Sequence, residues 1–155
     1  MSTQYWLVKT EPDVFSIHDL EKAKGQTTGW EGVRNYLARN YLRAMKQGDG
    51  VLVYHSSSDA IGVAGTAEVA REAFPDLTAL DKKSDYYDAK ATKADPRWSS
   101  VELRWTATFP AIVPLERLRK ERKLAGMQLL KQGNRLSVMP VTQAEWRAIL
   151  ALAKR

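Results

Sequence analysis

Val101-Glu102-Leu103-Arg104-Trp105-Thr106-Ala107-Thr108-Phe109 alternates apolar and polar side chains along its whole length. Successive side chains of a strand point to opposite faces, so the stretch predicts a β-strand with one buried and one wet face. Beyond it, Pro114 opens a short helix over Leu115 to about Lys120, at the first helical position, where proline is tolerated. Leu124 to Gln132 reads as a second short helix stopped by Gly133, and Arg135 to Met139 as a strand. Thr142-Gln143-Ala144-Glu145 is a capping box for a last helix through Lys154, with Trp146, Ile149, Leu150 and Ala153 on its apolar face.

On the other side, Phe74 to Pro96 is polar and without period, and loops of that length are usually functional or mobile. Gly62 to Ala70 and Val51 to Ser56 read as strands joined by Ser57-Ser58-Asp59-Ala60, with Gly62 and Gly65 marking a bulge or a close backbone approach. From Val33 onward, Val33, Leu37, Ala38, Tyr41, Leu42 and Met45 fall on one half of a helical wheel. Arg39, Arg43 and Lys46 lie opposite, which predicts an amphipathic helix ended by Gly48. Arg34 projects into the apolar half, so either the helix begins after it or partners hold its charge inside. Ser16 caps a short helix to about Lys24, closed by Gly25, and Tyr5 to Lys9 is a first strand ended at Thr10-Glu11-Pro12-Asp13. Strands scattered among short helices, without βαβ alternation, predict an α+β fold with a curled or barrel-like sheet, in one domain over 1–155.

The 155 residues are 44% hydrophobic and 27% charged, the composition of an ordinary globular domain. There is no Cys, which removes disulfides, thiolate metal sites and cysteine nucleophiles, and His18 and His55 do not have metal-ligand spacing. No metal or cofactor is expected. Met1 to Lys9 reads as the start of a strand rather than a signal peptide, and no stretch is apolar for long enough to cross a membrane, so the expectation is a cytoplasmic protein. A net charge of +6 and a pI near 9.6 favour a phosphate-bearing partner.

Three groups of residues go beyond general globularity. Trp30 sits between Gly29 and Gly32 ahead of a helix, where it either offers a stacking face or plugs the helix base. Tyr86, Tyr87 and Trp98 lie in or beside the irregular segment; loop aromatics stack on bases or fold into small cores of their own. Lys9, Thr10, His55 and Ser56 abut strand ends, with Arg34 and Asn35 near the helix start; Asn can read a base edge and Arg can grip phosphate. Arg39, Arg43, Arg117, Arg119 and Lys120 are candidate phosphate contacts, although a basic helix face is often simply solvated.

Tyr5-Trp6-Leu7-Val8-Lys9-Thr10-Glu11-Pro12, Trp30-Glu31-Gly32-Val33-Arg34-Asn35-Tyr36-Leu37-Ala38-Arg39-Asn40, Gly48-Asp49 and Tyr54-His55-Ser56 resemble successive blocks of the EVE-domain family. Phe74-Pro75-Asp76, Tyr86-Tyr87-Asp88, Pro96-Arg97-Trp98 and Arg135-Leu136-Ser137-Val138-Met139-Pro140-Val141 continue the likeness in order along the chain. Thr10 replaces the more usual Ser and keeps the hydroxyl. The resemblance implies a PUA-like fold related to YTH domains, which hold a methylated adenine between aromatic rings. It further implies recognition of a single modified base, notably a modified cytosine such as 5-methyl or 5-hydroxymethyl. By that analogy Trp30 is one wall, Lys9 and Thr10 reach the base, and Tyr86, Tyr87 or Trp98 supplies the second wall. Arg34, Asn35, His55 and Ser56 occupy motif positions without an assigned role.

Two rivals stand beside that reading. One is a general RNA-binding adaptor indifferent to modification. The other is a nucleic-acid hydrolase built on His55 with Ser56, or on a carboxylate pair among Glu11, Asp76, Asp85 and Asp88. Against the first version of the hydrolase, adjacent strand residues face opposite ways, and no catalytic residue is assigned.

Overall fold

The computed structural model describes residues 3–154; Met1, Ser2 and Arg155, counted in the domain above, lie outside the described residues. One six-stranded sheet organises the chain: β1 (Tyr5–Thr10), β2 (Thr27–Trp30), β3 (Gly50–His55), β4 (Gly62–Pro75), β5 (Ser99–Pro114) and β6 (Val138–Val141). The strand order is β2-β5-β4-β3-β1-β6. β1 and β3 are parallel, and the other neighbours run antiparallel. The sheet is curled but not closed into a barrel, and four short helices cover it: α1 (Ile17–Lys22), α2 (Tyr36–Ala44), α3 (Leu115–Lys120) and α4 (Gln143–Ala153).

The sheet separates two apolar cores. Trp6 and Val8 of β1 and Val51 and Val53 of β3 join Ala38 and Leu42 from α2, its C-cap Met45, and Trp30 from β2 in the first. Leu7 of β1 and Leu52 and Tyr54 of β3 point the other way, into the second core with Leu118 of α3 and Ile149 and Leu152 of α4. Period-two alternation therefore feeds both cores from one strand. β5 continues well beyond the stretch that announced it. Val101 and Leu103 enter the first core and Val113 the second, because register shifts in the β4–β5 pairing bend the two long strands. The glycine expectation holds in both its forms: pairing slips beside Gly65, and a Cβ there would lie 2.3 Å from the Ala107 carbonyl oxygen.

Several predicted elements move. The helix expected from Val33 begins at Tyr36 with Asn35 as its N-cap, which leaves Leu37 47% exposed rather than buried. β2 adds a strand to the predicted set, since four residues holding one glycine carry too short a pattern to announce it. Pro114 precedes α3 as its N-cap instead of occupying its first turn. In place of a helix over Leu124 to Gln132 there are two 3-10 turns, Arg122–Leu124 and Gln128–Leu130, which bury Leu124, Met127 and Leu129 as separate anchors around Gly126. The last strand is Val138–Val141 rather than Arg135 to Met139. The Thr142 capping box with Glu145 forms as expected, and the Ser16 cap proves to be a capping box as well, with Asp19.

Candidate nucleic-acid interface

Trp30, the last residue of β2, is held from one side by the loop that follows β1. The Thr10 hydroxyl donates to the Phe15 carbonyl at 2.7 Å, and Phe15 meets Trp30 edge to face, with centroids 6.1 Å apart at 83°. Trp30 is only 8% exposed, so it does serve the first core, as one of its two readings expects. Thr10 spends its proton on Phe15, but its oxygen keeps lone pairs that can accept from an exocyclic amine.

From Trp30 the chain is fastened to the long segment after β4. The Gly32 amide donates to Asp76 Oδ2 at 2.8 Å, and Arg34 pairs with the same oxygen at 3.0 Å. Arg34 also donates to the Thr78 hydroxyl and, at 2.7 and 3.0 Å, to the Tyr86 carbonyl. Both alternatives raised for Arg34 thus apply: the helix starts after it, and partners hold its charge. Burial alone would raise the Asp76 carboxyl, but hydrogen bonds from Thr78, the Gly32 amide and Arg34 outweigh it and hold the group below its ordinary value. Gly32 has φ of +84°, and a Cβ on it would lie 2.7 Å from the Tyr86 ring. Only glycine permits both that backbone and that close approach.

The Arg34 guanidinium lies 5.4 Å from the Trp98 ring and 5.8 Å from the Tyr86 ring. Trp98 is buried; its indole donates to Asp88 at 2.7 Å, and its face stacks on Tyr36 at 4.8 Å and 21°. Tyr36 itself is 48% exposed, with Arg39 4.8 Å from its ring and Arg97 donating to its hydroxyl. Arg39 and Arg43 donate to the Arg97 carbonyl at 3.0 and 3.2 Å, and Arg43 to the Ser99 hydroxyl. Arg34, Tyr36, Arg39, Arg43, Tyr86, Arg97 and Trp98 therefore form one aromatic and cationic array beside Trp30. Tyr36 and Arg97 are additions to the residues expected from sequence. Their signal was available, because both lie in the EVE-like blocks and an aromatic in a helix's first turn beside exposed arginines is a stacking candidate.

The remaining candidates fall elsewhere or are occupied. Lys9 follows the alternation of Leu7 onto the far side of the sheet, with its ammonium 5.8 Å from the Tyr54 ring, so β1 separates it from Thr10 and Trp30. Burial there pulls the Lys9 amine below its usual value. Arg117, Arg119 and Lys120 belong to α3, which packs on that same far core through Leu118. The Asn35 side chain accepts from the Ala38 amide at 3.0 Å and so caps α2. His55 is buried, its Nε2 accepts from the Ile17 amide at 3.0 Å, and burial lowers its pKa, which keeps the ring neutral. The Ser56 amide bonds to the Thr10 carbonyl, tying the ends of β3 and β1. Tyr87 is 39% exposed and makes only a turn hydrogen bond to Ser84.

For hydrolysis, His55 and Ser56 each have structural partners, and Asp76 and Asp88 are paired with Arg34 and Arg97. Among the described residues no three His, Cys, Asp or Glu side chains group where they could hold a metal ion.

Comparison with known proteins places this geometry. The EVE domain family description matches residues 4–152, and mouse thymocyte nuclear protein 1 is 39% identical over 97% of this chain and 74% of its own length. The chain belongs to the EVE domain family, and its open six-stranded sheet with short helices is that family's PUA-like fold. Human THYN1, crystallised in complex with 5-methylcytosine-containing DNA, superposes with a TM-score of 0.94 at 36% identity over 99% of both chains. A crystal structure from Pseudomonas putida superposes at 0.93 with 48% identity, over 96% of this chain and 99% of that one.

Proposed function

We propose that this chain is a nucleic-acid-binding module that holds a single 5-methyl- or 5-hydroxymethyl-cytosine, turned out of its strand, against Trp30. The observation that carries the reading is the likeness, over 99% of this chain and 99% of the crystallised chain, to a human protein crystallised with 5-methylcytosine-containing DNA.

The site's chemistry supports it. Extruding a base costs a few kcal/mol of stacking and pairing. Stacking on an aromatic ring returns about 1–3 kcal/mol per base. Cytosine presents its N4 amine as a donor, and the Thr10 oxygen on the Trp30 side of β1 is a suitable acceptor. For the second wall, Tyr86 is better placed than Trp98, since Trp98 is covered by Tyr36 while Tyr86 is 37% exposed and lies over Gly32. A methyl filling an apolar corner gives about 1–3 kcal/mol of discrimination. Arg39 and Arg43, within the array, hold phosphates without reading sequence.

The test is binding, at one fixed moderate salt, to matched single- and double-stranded oligonucleotides carrying plain, 5-methyl-, 5-hydroxymethyl-cytosine or N6-methyladenine. Preference for a modified cytosine is expected. Uniform binding across the panel would instead identify a general adaptor.

A further inference from the structure

The described chain exposes seven large apolar side chains: Val14, Tyr36, Leu37, Ile61, Leu77, Tyr86 and Tyr87. All but Ile61 lie on the three segments fastened together around Trp30, namely the loop after β1, the start of α2 and the segment after β4. Exposed apolar groups concentrated on linked segments and accompanied by charge are candidates for an interaction surface. Beside them Arg39 and Arg43 add cationic charge to the ion-paired Arg34 and Arg97, which matches a polyanionic partner.

Within that surface the first turn of α2 stands out. Tyr36 and Leu37 are 48% and 47% exposed, and neither belongs to any of the three apolar clusters. The helix does not need Leu37 for packing, because Ala38 and Leu42 supply its buried face and Met45, its C-cap, is buried just beyond it. The turn is nonetheless rigid. Asn35 caps it, Trp98 backs Tyr36 at 4.8 Å, and Arg97 and Arg39 hold that ring at its hydroxyl and its face. An exposed apolar side chain on an anchored helix start that also carries Arg39 and Arg43 suits insertion between base steps.

We infer that Leu37, exposed on the capped first turn of α2, is an intercalating wedge that enters duplex DNA and fills the gap left by the extruded base. The inference rests on the base-holding reading and assigns a residue for its costly step. A wedge offsets the loss of stacking only where there is a stack to enter. It therefore acts on duplex binding and not on a modified base already free in a single strand.

The test compares wild type, Leu37→Ala and Leu37→Met on one sequence containing 5-methylcytosine, as a single strand and as a paired duplex, with unmethylated versions of both. Leu37 is half exposed, so neither variant threatens the fold; circular dichroism checks this. Leu37→Ala is expected to weaken duplex binding about tenfold while single-strand binding changes less than about twofold, and Leu37→Met to restore the duplex affinity. Equal losses on both substrates, or no loss on the duplex, with methyl preference intact, would overturn the wedge alone. Wild-type protein that binds methylated and plain single strands alike would refute the base-holding reading and the wedge with it.

Discussion

Asp76 shows how much of the site depends on one buried carboxylate. It is 1% exposed and receives the Gly32 amide, Arg34, and both the amide and hydroxyl of Thr78. Removing its charge leaves the Arg34 cation without its partner, a loss of about 3 kcal/mol in comparable buried pairs. Asp76→Asn is expected to lower stability by about that much in chemical denaturation and to loosen the segment carrying Tyr86. Because its folded pKa lies below the unfolded value, the stabilisation is complete above about pH 4 and is lost as pH falls through the depressed value. The wild type should therefore lose more stability than Asp76→Asn on acidification, the remaining loss in both coming from carboxyls such as Asp19 and Asp88, whose pKa values are also depressed. His55 works in a second window. Burial lowers its pKa, so its contribution is complete above the ordinary value near 6.5 and declines as pH falls below that, when protonation competes with the Ile17 amide bond. Substituting His55→Gln should flatten the stability profile between neutral and mildly acid pH, measured by thermal unfolding.

At the scale of elements, the start of α2 decides several roles at once. Asn35 is a cap, so Asn35→Ala is expected to cost about 1 kcal/mol of stability while leaving the preference for modified over plain cytosine unchanged. A loss of preference at unchanged stability would return Asn35 to the base edge. The sequence showed the helix but not its first residue, because the apolar pattern runs on through Val33 although Val33 packs from the preceding loop. Long alternation made β5 legible, and turn chemistry showed the Thr142 capping box and the Ser16 cap. What escaped was short or relational. β2 has only four residues, the 3-10 turns bury isolated anchors with no period, and the Asp76 tether joins residues 44 apart. The opposite placement of Lys9 and Thr10 was implicit in strand alternation. It needed a register to show which residue shares a side with Trp30.

Across the whole molecule, the sheet divides its basic groups into two sets. Arg34, Arg39, Arg43 and Arg97 share the Trp30 side, while Lys9 and the α3 residues Arg117, Arg119 and Lys120 lie with the far core. A single duplex seated on the Trp30 side meets the first set. The salt dependence of binding should therefore weaken by roughly one unit of slope for each phosphate that Arg39→Gln with Arg43→Gln leaves unneutralised. Arg117→Gln, Arg119→Gln and Lys120→Gln together should leave that slope nearly unchanged. Whether Trp30 presents its face to a modified cytosine is decided by one ratio: the dissociation constant for the plain strand over that for the methylated strand, measured for wild type and for Trp30→Leu. Leucine keeps the site apolar but removes the aromatic face. A wild-type ratio of about ten or more is expected, falling towards one in Trp30→Leu because a base that no longer stacks is not held in the site, and the phosphate contacts that remain are indifferent to the methyl group. A wild-type ratio near one, or a ratio that survives Trp30→Leu in a folded protein, would contradict that role for Trp30.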